Sequence, residues 1–101
     1  MPNLLLNEEQ LEKALKSLSN WKKDGEFICR DFEFRNFCEA FGFMTAVALE
    51  AEKQDHHPDW QNVYNRLKIR LSTHDAQGLT QKDIQLAETI DKLFTSLERS
   101  L

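Results

Sequence analysis

Residues 66–71 read RLKIRL, with Leu67, Ile69 and Leu71 alternating with Arg66, Lys68 and Arg70. A period of two is that of a β-strand, and it sends the apolar side chains to one face and the cations to the other. Such a strand has one wet face and one that must be covered, so the chain needs both a sheet and a layer to lay against it. The same reading disposes of the one run of cations that resembles a basic stripe: it is the solvated face of a strand. With a formal net charge of −4, the chain is not expected to bind nucleic acid directly.

The flanking segments supply the cover. Asn7 and Gln10 have the spacing of a capping box, and Leu11, Ala14, Leu15 and Leu18 form one apolar helical stripe. Asp24-Gly25 signals a hairpin between strand-like runs at Trp21 to Lys23 and Phe27 to Phe34. A second helix is expected from Asn36 to Gln54, mostly buried, with Phe37, Phe41, Met44, Ala48 and Ala51 at helical spacing. Pro58 disfavours helix at His57, so this helix stops near Asp55. DWQNVYNRLKIRLSTH then gives two strands with a break near Asn65, DAQGL a turn, and Thr80 the cap of a last helix. Ile84, Ala87, Ile90, Phe94 and Leu97 face inward from that helix. The order is α-β-β-α-β-β-α, an α+β sandwich with four strands covered on one face by three helices.

A chain of 101 residues fits a single domain over 1–101. The longest uncharged run, Ala40 to Leu49, is about half of what a membrane span needs, and MPNLLLNEEQ lacks the basic start and apolar core of a signal peptide. Cys29 and Cys38 are then expected as free thiols in a reducing, cytoplasmic setting. Trp21, Trp60 and Tyr64 read first as core residues.

The candidate chemistry lies at element ends. EKQDHHPDW carries Glu52, His56 and His57; the last strand ends at His74 and Asp75; the last helix begins near Asp83. Histidine titrates nearest neutrality, so paired imidazoles can supply an acid and a base together. Glu52, one helical turn before His56, could fix its tautomer or hold a substrate nitrogen. Asp83, three residues after Thr80, also suits a helix cap, and Asp75 a turn. Glu52, His56, His57 and His74 would form a ligand set acceptable to zinc. Against that reading, the paired histidines are adjacent, whereas helical zinc motifs space them four apart.

In this order and spacing, EKQDHHPDW, VYN and STHDAQGLTQKD resemble the pterin-4a-carbinolamine dehydratases. The resemblance runs from Trp21 to the last helix. It implies a four-stranded antiparallel sheet with three helices, and dehydration of a 4a-hydroxytetrahydropterin to the quinonoid dihydropterin plus water. Neither a metal nor a bound cofactor is implied. His56, His57 and His74 are similar to the family's catalytic histidines, Glu52 and Asp83 belong to the polar surround, and Trp21 flanks the pocket. His57 or His74 would act as acid at the 4a-hydroxyl, with His56 orienting the pterin. The resemblance also implies a homodimer or homotetramer working beside an aromatic amino acid hydroxylase that consumes tetrahydropterin. Some animal members double as a dimerisation cofactor of a homeodomain transcription factor, a non-catalytic alternative for the same fold.

Overall fold

The structure, a computed structural model, describes residues 4–100. Residues 1–3 and 101, which belong to the expected domain and, for 1–3, to the N-terminal segment judged above, lie outside the described residues. The elements are α1 (Glu8–Ser17), β1 (Lys22–Asp24), β2 (Phe27–Glu33), α2 (Phe37–Lys53), β3 (Asp59–Val63), β4 (Arg66–Leu71), a 3-10 turn (His74–Ala76) and α3 (Gln81–Ser100). The strands form one antiparallel sheet in the order β1-β2-β4-β3. The expected element order and architecture are those observed.

The sheet is one-sided, as the alternation in β4 requires. Ile28 and Phe32 of β2 pair with Leu71 and Leu67 of β4, and these four side chains are buried together with Ile69. Asp31, Glu33, Arg66 and Lys68 stand exposed on the other face. Phe32, Phe34, Phe43 and Phe94 form the aromatic centre of the core, with ring centroids 5.1–6.4 Å apart in their contacting pairs. Arg30 also points inward; its guanidinium lies 4.5 Å from the Phe32 centroid and donates to Asp91 of α3 at 2.6 Å.

Local chemistry sets the boundaries. Both halves of the Asn7–Gln10 capping box are formed, at 2.8 and 3.0 Å. β1 starts one residue later than expected because the Trp21 N–H bonds the Leu18 carbonyl and leaves the ladder. The β1–β2 hairpin turns with Gly25 at φ 62°, a conformation glycine adopts without steric cost.

α2 departs from the expected burial. Its buried residues are Ala40, Phe43, Val47 and Ala51, whereas Phe37 and Phe41 are 49% and 55% exposed. The helix is apolar over more than half its circumference, so periodicity allows two stripes about a fifth of a turn apart that share Ala51. The sheet takes one of them and leaves the two phenylalanines, in mutual contact at 5.7 Å, outside.

Candidate active site

The histidine turn is built by the way α2 ends. Gln54 is the C-cap and Asp55 follows in the left-handed region at φ 51°. The His56 N–H donates to the Ala51 carbonyl at 3.0 Å and the Asp55 N–H to the Glu52 carbonyl at 3.2 Å. These two bonds are the Schellman closure of a helix, here with aspartate in the position glycine usually holds. Pro58 then starts the chain toward β3, and His56 and His57 leave the turn in different directions.

His56 turns inward. It is 8% exposed, and its Nε2 lies 2.6 Å from Oδ1 of Asp83 in the first turn of α3. Asp83 is fully buried, and its Oδ2 accepts from the Thr73 hydroxyl at 2.8 Å and the Thr80 backbone N–H at 2.9 Å. Thr73 and Thr80 share a further hydroxyl bond of 2.6 Å, and the Thr80 hydroxyl accepts from the Lys82 N–H at 3.2 Å. Asp83 therefore caps α3, as its spacing from Thr80 suggested, and also holds a histidine. An ionised carboxylate only accepts hydrogen bonds, so in neutral His56 the hydrogen lies on Nε2 and Nδ1 is the acceptor nitrogen. This network ties the exit of α2, the end of β4 and the start of α3 into one fixed unit.

His57 turns outward. Its side chain is 61% exposed, with Nε2 2.8 Å from Oε1 of Glu52, itself 79% exposed. His74, on the 3-10 turn after β4, is exposed and has no side-chain hydrogen bond among the described residues. His57 and His74, with Ser72 between them, line two adjoining clefts. One of about 340 Å³ is completed by Asp55, His56, Thr73, Asp75 and Lys82. The other, about 610 Å³, is completed by Glu26, Phe27, Pro58, Asp59, Arg70 and Gln77. A third hollow of about 590 Å³ on the open sheet face, lined by residues such as Asp31, Gln61 and Lys68, contains no histidine.

The three predicted segments thus converge, with corrections of detail. Glu52 pairs with His57 and not with His56, because the helix ends before His56 can stack one turn above it. Trp21 is not brought to the histidines. It is 3% exposed, packed edge-on against Phe32, and its indole N–H donates to Asp91 at 2.8 Å. Trp60 packs half-buried on the core, but Tyr64 is 61% exposed at the β3–β4 turn with φ 52°. Among the described residues, no group of three or more His, Cys, Asp or Glu side chains could hold a metal ion. Of the set considered for zinc, His56 is bonded to Asp83, His57 to Glu52, and His74 belongs to neither pair. Sequence reasoning missed Thr73 and Arg70 as parts of this region. The Thr80-x-x-Asp83 spacing signals the cap but not its link to Thr73, and Arg70 was read as one of three equivalent surface cations.

The model for the pterin 4 alpha carbinolamine dehydratase family matches residues 4–93 of this chain. The chain belongs to that family. A Prochlorococcus marinus (strain NATL2A) protein, whose name assigns it provisionally to this dehydratase, is 53% identical over 92 residues, covering 91% of this chain and 97% of its own. A Bradyrhizobium sp. (strain BTAi1 / ATCC BAA-1182) protein with the same provisional name is 53% identical over 94 residues, 91% of this chain and 95% of its own. Among solved structures, the transcriptional coactivator/pterin dehydratase from Brucella melitensis superposes with a TM-score of 0.86 at 43% identity, covering 89% of this chain and 98% of that one. A pterin dehydratase-like RuBisCO assembly factor of the alpha-carboxysome, at 23% identity and a TM-score of 0.63, shares the fold. In this family member no helix among the described residues is long and apolar enough to cross a membrane.

Proposed function

We propose that this protein dehydrates a 4a-hydroxytetrahydropterin, such as 4a-hydroxytetrahydrobiopterin, to the quinonoid dihydropterin by histidine acid–base catalysis. The observation that carries the reading is the shared placement of His57 and His74: two exposed imidazoles, from different loops, on the same clefts. The reaction breaks the C4a–O bond and the N5–H bond. The N5 lone pair expels the hydroxyl, one group delivers a proton to the leaving oxygen, and another takes the proton from N5. Water and the quinonoid ring result, with no net gain or loss of electrons. His57 or His74 serves as the acid at oxygen and the other as the base, a contribution of roughly 10²–10⁴-fold for positioned proton transfer. His56, held by Asp83, orients the pterin, and Glu52 steadies His57. No metal or cofactor enters these steps.

The reading extends to tetrahydropterin recycling beside an aromatic amino acid hydroxylase, in the cytoplasm, by a homodimer or homotetramer. The exposed Phe37, Phe41 and Leu49 of α2 support self-association. The test is the absorbance decay of freshly generated 4a-hydroxytetrahydropterin with EDTA present. Acceleration by the protein is expected; no acceleration by folded protein removes the dehydratase reading. The Brucella relative's description as a coactivator supports one alternative, a non-catalytic partner-binding role, in which binding survives loss of the histidines.

A further inference from the structure

His56 keeps one ring nitrogen out of the buried network. Its Nε2 is taken by Asp83, which leaves Nδ1 as a bare acceptor. Nδ1 makes no hydrogen bond among the described residues, and no buried side-chain nitrogen or oxygen among them lacks a partner, so this nitrogen is open to solvent. The opening it lines is the cleft of about 340 Å³ that also contains His57 and His74. His56 is pinned from behind and open in front, so the acceptor it presents is fixed in place. The carboxylates of Asp55 and Asp75 on the same cleft are exposed and unbonded among the described residues.

Lys82 supplies the opposite polarity. It is half-buried in the first turn of α3, lines the same cleft and forms no ion pair among the described residues. A cation in the first turn opposes the helix dipole, so the helix itself gives no reason for it. The ammonium only donates and Nδ1 only accepts, a pair that fits a ligand edge carrying an acceptor beside a donor.

The proposed dehydration says which edge that is. In a 4a-hydroxytetrahydropterin, C4a bears the hydroxyl and joins N5 to C4. The C4 carbonyl and N5–H therefore project from one edge of the bicycle, and N1 and N8 lie on the other. Beyond C4 the next atom is N3, which carries a hydrogen. With the hydroxyl and N5–H at His57 and His74, the groups next along in a cleft this small are the C4 oxygen, an acceptor, and N3–H, a donor. Building on that reading, we infer that His56 Nδ1 and the Lys82 ammonium form a subsite for the N3–H/C4=O lactam edge of the pterin. Nδ1 accepts from N3–H and the ammonium donates to the C4 oxygen. Both are binding residues here, and neither moves a proton.

The test is equilibrium binding of two stable compounds, 6-methyl-7,8-dihydropterin and its 2,4-diamino counterpart. In the second, N3 becomes an acceptor and C4 carries a donor, while N1, N5 and N8 are unchanged. Wild-type protein should bind the lactam at least about tenfold more tightly, the scale of one mismatched hydrogen bond. His56→Gln, whose amide N–H still reaches Asp83, should lose most of that preference by weakening the lactam alone, with Tm within a few degrees of wild type. Lys82→Met should lose part of it. Equal affinities in wild type, binding of neither compound, or an undiminished preference in either variant overturns the subsite. If His56→Gln does not fold, Lys82→Met decides alone: a reduced preference supports the subsite and an unchanged one overturns it. Turnover of 4a-hydroxytetrahydropterin by the same wild-type sample keeps the two readings apart. No turnover, with a lactam preference that the variants lose, removes the dehydratase reading and leaves the subsite; turnover with equal affinities removes the subsite alone.

Discussion

His56 is 8% exposed and bonded at 2.6 Å to a carboxylate that solvent does not reach; the side chain of the next residue, His57, is 61% exposed and pairs at 2.8 Å with a carboxylate 79% exposed. The two bonds have nearly the same length and quite different consequences. In the low-dielectric interior a satisfied polar network is strong, and removing one member leaves the others unpaired at full cost. At the surface the same contact is screened and weakened by side-chain entropy, contributing about 0–1 kcal/mol. The inner pair can therefore fix structure, while the outer imidazole is held loosely and reaches both solvent and cleft. On the proposed mechanism, adjacent residues at one turn divide two tasks, orientation and proton movement.

The sharpest way to break this contrast is at Asp83. Asp83→Ala would leave the Thr73 hydroxyl, the Thr80 N–H and His56 without their shared acceptor, and stability should fall by about 3–5 kcal/mol. In a domain of this size that lowers Tm by more than about 10 °C, readable by circular dichroism. A loss below 1 kcal/mol would show that the network does not organise the site. Next in size are the outer histidines: on the proposed mechanism His74→Ala should lower kcat by about 10²-fold or more with KM changed far less, as for a group that acts on the transition state. Its stability should stay within about 0.5 kcal/mol of wild type, as for most exposed positions.

Glu52→Gln sharpens the comparison at a smaller scale. It should lower kcat less than about tenfold and leave Tm almost unchanged, because the pair it removes is exposed. The smallest effect expected is at the turn itself. Asp55→Gly relieves a non-glycine residue at φ 51° and should stabilise the fold by up to about 1 kcal/mol, read as a small rise in Tm.

Much of this could be read before any coordinates. The alternation in β4 and the caps at Asn7 and Thr80 are local properties, and the elements they foretell are present. The side on which α2 is buried was not legible, because Phe37 and Phe41 are as apolar as Phe43 and only the position of the sheet distinguishes them. The same holds at the site. That three histidines would meet followed from their places at element ends and from the family resemblance. Which carboxylate meets which histidine depended on Asp55 turning left-handed, and sequence spacing alone favoured the Glu52–His56 pairing that is not formed. Trp21 was drawn toward the pocket by resemblance, whereas its indole N–H is satisfied by Asp91 across the core.

The most direct measurement is the turnover rate of the His57→Ala/His74→Ala double variant beside wild type, on freshly generated 4a-hydroxytetrahydropterin in EDTA, with the melting curve of each protein taken from the same sample. The account predicts a fall in kcat of at least about 10²-fold with Tm within a few degrees of wild type, since neither side chain belongs to the buried network. Unchanged kcat in a folded double variant would contradict it, and would move the chemistry away from the two outer histidines.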